Sequence, residues 1–273
     1  MPSTLQVSSD NGVVRIVLDS PPVNALGAQM MIELHTVLTG LREDPQAKVI
    51  VFSSANREFF SAHVDMGIGE QMDVLQWLAA QAPEGVSVFQ VVGELIRNQP
   101  QVTIVKLAGK ARGGGAEVVA AADLAFAALE TAGLGQIESL MGIVPAGGGT
   151  QYLRQRMGRN RALEIVLTGE LFDAKTAAEY GWINRAVPAV DLDAFVDRVA
   201  RNIAALPEGV IAGVKQTLPP EDLTPGFALE QKSWAALIGR PEVQRMMAEA
   251  LAKGAQTVEG ERDLEGLMRS VTP

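Results

Sequence analysis

The chain has no cysteine and only two histidines, His35 and His63, among 273 residues. Disulfides, thiolate nucleophiles and cysteine-ligated metal sites are therefore excluded, and two imidazoles leave little for a zinc-hydrolase cluster. Positive charge is also short. Lys and Arg number 23 against 32 Asp and Glu, giving a net charge of −9 and a pI near 4.9. No global positive field is available to recruit nucleic acid or an anionic membrane. Long apolar runs are missing as well: the best, residues 118–129, is interrupted by Asp123 and falls short of the ~20 residues a membrane helix needs. The opening MPSTLQVSSDNG lacks the basic and apolar blocks of a signal peptide, so a cytoplasmic location is expected. Neither G-x-x-x-x-G-K-[ST] nor G-x-G-x-x-G occurs, which removes the P-loop and dinucleotide-fingerprint readings.

What is present is the balance of a folded globular protein, 47% hydrophobic and 20% charged. Leu5, Val7, Val13, Arg15 and Val17 alternate around Asn11-Gly12, which predicts an opening hairpin. Apolar spacing predicts a helix over 29–42, a buried strand over 48–54, a helix over 86–98, a strand over 102–107, a helix over 113–121 and a strand over 124–129. This repeating strand-and-helix rhythm gives an α/β core. Beyond Gly148 the pattern is mostly helical, at 149–157, 161–167, 174–180, 192–205, 207–218, 224–238, 241–253 and 261–270, interrupted by a strand at 183–187. We divide the chain into a core, residues 1–198, carrying the active site, and a helical oligomerisation or lid region, residues 199–273.

The sharpest chemical feature is GGGAE, residues 113–117, opening a helix that is apolar all round. Glycines there expose backbone N–H groups at the positive end of a helix, where a developing oxyanion can be held without any side chain. Glu117 is the exception on that helix. A carboxylate on an apolar helix is costly unless it is paired or borders a wet cavity, so Glu117 is either the partner of Lys106, Lys110 or Arg112, or a catalytic group. A second carboxylate, Glu138, lies in a glycine-rich stretch with few charges; taken alone it reads as a solvated loop residue. Gly147 to Gly149 read as tight turning before a helix.

Three segments in order, FSAHVD at 60–65, GGGAE at 113–117 and QIESLMGIVPAGGGTQ at 136–151, resemble the crotonase superfamily, the enoyl-CoA hydratase and isomerase group. PVNAL at 22–26, Asp123 and LTGELFDAKTAAEYGWINRAVP at 167–188 extend the likeness, which thins beyond Pro219. The resemblance implies a crotonase-like ββα superhelix with a C-terminal helical subdomain. It implies a CoA thioester as substrate, with coenzyme A part of that substrate, and no prosthetic group or metal. The backbone N–H groups of Val64 and Gly114 would form an oxyanion hole, and Glu117 and Glu138 would serve as the acid–base pair, Glu117 at the water and Glu138 at the C2 proton. Both glutamates being present favours hydration of a 2-enoyl-CoA. The alternatives are an enoyl-CoA isomerase or another crotonase-type enzyme, and more remotely a noncatalytic acyl-CoA binder.

His63 stands where the family most often has glycine, and is expected either to touch the substrate or to fill the loop. Ala62, Asp65 and Met66 are candidates for contact with coenzyme A, and Arg57 for its phosphates. Trp77, Leu78, Phe89 and Val92 are candidates for the acyl wall, although helical spacing also suits them to the core. His35 reads as a boundary residue. The tail lacks the family's E-G-x-x-A-F run; Met246, Met247, Leu251, Leu264 and Leu267 suit either the monomer core or a contact in a homotrimer or dimer of trimers.

Overall fold

A computed structural model describes residues 3–272. The opening hairpin forms as β1 (Leu5–Asp10) and β2 (Val13–Leu18), antiparallel, with Asn11 and Gly12 at φ of 49° and 80° in its turn. Those two positive φ values are what a two-residue hairpin turn with the strands' own twist requires. The chain then adds β3 (Val49–Ser54), β4 (Phe59–Ser61), β5 (Val102–Leu107), β6 (Lys110–Arg112), β7 (Leu124–Ala128), β8 (Gly133–Gly135), β9 (Phe172–Asp173) and β10 (Arg185–Val187). They sort into a six-stranded sheet of order β1-β2-β3-β5-β7-β10 and a four-stranded sheet of order β4-β6-β8-β9.

Three successive units therefore send one strand to each sheet. β3, β5 and β7 run parallel in the large sheet, and the strand that follows each of them, β4, β6 or β8, runs parallel to its equivalents in the small one. The β3 sequence VIVFSS is buried along almost its whole length, as expected of a parallel strand covered on both faces. Each unit ends in a helix or turn leading back to the next. The loop after β4, the helix after β6 and the turn after β8 carry the candidate residues Val64, Gly114, Glu117 and Glu138.

Some elements differ from the sequence reading. The helix expected over 86–98 is confined to Val91–Arg97, and a further helix, Met72–Ala80, precedes it. The last expected helix is two short ones, Val258–Arg262 and Leu264–Arg269, broken at Asp263, whose side chain accepts from Gly266 N–H to cap the second. Residue 198 lies within the helix Leu192–Ala204, whose buried Leu192, Val196 and Ala200 face the large sheet. The later helices build a second apolar cluster: Ala250, Ala255, Leu264, Met268 and Val271 close over Ile137 and Met141. The tail therefore folds back over the turn that carries Glu138.

Candidate active site

The first amide belongs to the loop after β4. Asn24, buried and at φ 53°, donates to Leu18 O, Ser54 Oγ and Phe60 O while its Oδ1 accepts from Ser20 N–H. This anchor holds the segment ending at Leu26 against the loop. Leu26 N–H donates to His63 O at 2.7 Å and Asp65 N–H donates to Leu26 O at 3.2 Å. In such a parallel bridge the intervening Val64 N–H faces the other way. It donates to no acceptor among the described residues.

The second amide is at the start of the helix Gly114–Ala121. Gly113 sits at φ +47°, and a Cβ there would also lie 2.9 Å from Glu138 Oε1, so only glycine suits the turn. Gly113 N–H is used by Gly135 O, whereas Gly114 N–H has no acceptor among the described residues. A Cβ on Gly114 would lie 2.6 Å from Val64 Cγ2 and 3.6 Å from Val64 N. The two free amides are thus brought side by side by the absence of a side chain, at a helix end whose partial charge favours an anion.

Neither bland reading of the glutamates survives. Lys106 pairs with Asp193, Arg112 with Glu265, and Lys110 donates to Arg262 O, leaving Glu117 without a cation. Instead its Oε1 accepts from Gly147 N–H at 2.9 Å and Gly149 N–H at 2.8 Å. A Cβ on Gly147 would lie 2.1 Å from Glu117 Oε2, so the glycines at 147–149 serve close approach to this carboxyl as well as turning. Glu138 opens a turn of 3-10 helix, Glu138–Met141, and is buried with 9% of its surface exposed.

Burial pushes the Glu117 carboxyl well above the ordinary range, and the charges of Glu138 and Glu230 add to the rise; the two glycine amides oppose it without prevailing. Burial also carries Glu138 from 4.5 to about 7, against the pull of its own amide and of His63. Two buried acids whose environments differ are the pattern from which acid and base roles arise.

Glu230 was missed by the sequence reading. It is buried, accepts from Gly148 N–H at 2.7 Å and Thr150 N–H at 3.0 Å, and also binds Thr150 Oγ1 and Gln90 Nε2. Glu117 and Glu230 thus take alternate amides of one loop, 147 and 149 against 148 and 150. A signal existed: in TPGFALEQKSWAALI, Glu230 falls three after Phe227 and four before Trp234, on the apolar stripe of its helix.

A cavity of about 450 Å³ opens beside Val64. Val64, Glu117, Glu138 and Gly147 line it at one part, and Ile68, Leu75, Val88, Phe89, Met141, Ile143, Trp234 and Met247 supply an apolar wall. Phe89 and Trp234 meet edge to face at 5.3 Å between ring centres. The tail contributes Gln231, Trp234, Ile238, Gln244 and Met247 from two helices. Of the expected acyl-wall residues Phe89 lines the cavity; Leu78 and Val92 are core, and Trp77 packs on His35 at the surface. Asp65 and Met66 line it, Ala62 is buried with Val23 and Phe59 instead, and Arg57 is exposed away from it.

His63 borders the cavity but both its ring nitrogens are engaged, Nδ1 with Val64 O at 2.7 Å and Nε2 with Glu261 Oε1 at 3.0 Å. Its backbone φ is not positive, so the loop keeps its path without glycine.

A model of the enoyl-CoA hydratase/isomerase family matches residues 8–256. The chain belongs to this family, within the crotonase superfamily whose members act on acyl-CoA thioesters. A Mycobacterium tuberculosis protein named a probable enoyl-CoA hydratase is 29% identical over 256 residues, 92% of this chain and 96% of that one. The human protein named enoyl-CoA hydratase domain-containing protein 2, mitochondrial, is 36% identical over 181 residues, 65% of this chain; the match spans only 59% of that relative. Among solved structures, a Streptomyces avermitilis protein of the enoyl-CoA hydratase kind is 70% identical, covers 98% of both chains and superposes with a TM-score of 0.97.

Proposed function

We propose that the protein is an enoyl-CoA hydratase. The observation that carries this reading is the adjacency of two unoccupied amides, Val64 N–H and Gly114 N–H, together with two buried carboxyls that line the same cavity as Val64. The thioester oxygen accepts from both amides, which places the conjugated C2=C3 bond between Glu117 and Glu138. One carboxylate takes a proton from water as the water oxygen bonds to C3; the π electrons move to the thioester oxygen as enolate; the other carboxyl delivers a proton to C2 as the enolate collapses. Removing one amide donor in such a site costs roughly 100- to 1,000-fold in rate. The apolar wall receives the acyl chain, and Asp65 and Met66 lie toward the coenzyme A end.

By the resemblance Glu117 activates the water. In the free protein burial raises both carboxyls, Glu117 well above the ordinary range and Glu138 to about 7. Glu138 as the base with Glu117 as the acid is the reverse assignment, and the two separate in the pH–rate limbs lost by each glutamine variant. The isomerase reading uses the same groups for a 1,3-proton transfer, without water entering the product. A binder without chemistry needs only the cavity and the amides. Hydration of crotonyl-CoA in oxygen-18 water tests all three: label at C3, abolished in the Glu117→Gln, Glu138→Gln double variant, supports the hydratase. Full activity in that variant rules the mechanism out, a shifted double bond without label gives the isomerase, and binding without turnover of any enoyl-CoA gives the binder. The C-terminal helices, besides closing over the cavity, are proposed to carry the trimer contacts usual in the superfamily.

A further inference from the structure

We propose that His63 and Glu261 form a buried positioning dyad through which the C-terminal helices lock the loop around Val64 and keep its N–H aimed into the cavity. The kinetic part of this inference rests on the hydratase reading; the structural part does not.

His63 Nδ1 and Nε2 each face an oxygen that is an acceptor, a backbone carbonyl at 2.7 Å and a carboxylate at 3.0 Å. A neutral imidazole has one N–H and would set a lone pair against one of those oxygens; only the imidazolium donates to both. The surroundings balance that charge. Glu261 is fully buried, and its Oε1 also accepts from Gln256 N–H at 2.9 Å. Arg112, equally buried, approaches Glu261 Oε2 at 3.8 Å, donates to Glu261 O at 3.0 Å and forms a two-pronged pair with Glu265 at 2.6 and 2.9 Å. His63 and Arg112 thus offset Glu261 and Glu265, with Glu138 the other acid close to the ring and Lys110 the other base near Arg112. Burial alone disfavours a charged His63, and the bond and charge of Glu261 outweigh it.

A second strap from the same tail segment holds the other side of the loop. Met66 N–H donates to Gln256 Oε1 at 2.7 Å, and Gln256 Nε2 donates to Asp65 Oδ1 at 3.1 Å. Residues 63, 65 and 66 are therefore all tied to residues 256 and 261, and Val64 lies between the ties. A loop with glycine at position 63 could not make the first of them. The Arg112–Glu265 pair anchors the same helices without touching the loop.

The chain's two histidines make this directly readable by nitrogen NMR. In the native protein His63 is expected to keep both ring protons to higher pH than an ordinary histidine; His35, which burial pushes downward, loses its second proton at lower pH. Glu261→Gln should release a His63 proton and alter the carbonyl shift of bound carbon-13-labelled butyryl-CoA. In the hydration assay it should lower kcat roughly 10- to 100-fold, the scale of a misaimed oxyanion donor, with KM changed less than about threefold. Glu261→Asp should restore part of the loss. Glu265→Gln is the stability control: it should lower Tm and, although it shares Arg112 with Glu261, lower kcat much less than Glu261→Gln does. A His63 that loses its second ring proton at or below the pH at which an ordinary histidine does, or Glu261→Gln and Glu265→Gln lowering kcat alike, overturns the dyad. A protein that hydrates no enoyl-CoA, yet shows the charged ring and loses both it and the carbonyl shift in Glu261→Gln, sinks the hydratase reading and upholds the dyad.

Discussion

Glu138→Gln should make the protein more stable in mild alkali while abolishing its activity. A carboxyl whose folded-state pKa lies above its unfolded one keeps its proton in the native state after the denatured chain has released it. Its contribution is whole below about 4.5, declines as pH rises, and is fully lost above about 7. A rise from 4.5 to about 7 corresponds to about 3 kcal/mol, at about 1.4 kcal/mol per pH unit. Glutamine has the same shape, still accepts at one oxygen and never ionises, so it escapes that loss. The difference in Tm, variant minus native, should therefore widen between pH 5 and pH 8 by roughly 4–5 °C. Thermal denaturation at the two pH values measures it, alongside crotonyl-CoA hydration. A difference that does not change with pH, or one that widens in the opposite direction, would refute the reasoning about this carboxyl.

Gly147→Ala puts a methyl 2.1 Å from Glu117 Oε2; we expect about 1–3 kcal/mol of destabilisation and, as the carboxyl shifts by ~1 Å, a fall of about 100-fold in kcat, read by urea unfolding and turnover. Glu230→Gln removes a negative charge that raises both Glu117 and Glu138, so the carboxyl limbs of the kcat/KM profile should move to lower pH; limbs that stay in place or move upward would contradict the role given to Glu230.

The parts legible in the sequence are those governed by neighbours along the chain. The hairpin followed from Asn11-Gly12, the buried strands from runs such as VIVFSS, and the helix start at Gly114 from three glycines before an apolar stretch. Glu117 stood out because nothing polar shares its helix. Other features depend on distant partners. Glu138 reads as a loop residue until the tail cluster around Leu264 and Met268 is seen to cover it. Glu230 becomes meaningful only when Gly148 and Thr150 reach it, 80 residues or more away in sequence. His63 could be noticed as a departure, but its role hangs on Glu261, 198 residues later. Leu78 and Val92 fall in the core, the reading their spacing favoured, whereas Phe89 at similar spacing lines the cavity: helical apolar spacing identifies a buried face without saying whether a cavity or solid core lies beyond it.

The arrangement of two amides and two acids around one thioester is tested most directly by a structure of the protein with bound butyryl-CoA. It should place the thioester oxygen within hydrogen-bonding distance of both Val64 N and Gly114 N, with Glu117 and Glu138 beside C2 and C3. A thioester oxygen bound elsewhere, with either amide still unpaired or the acids remote from those carbons, would contradict it.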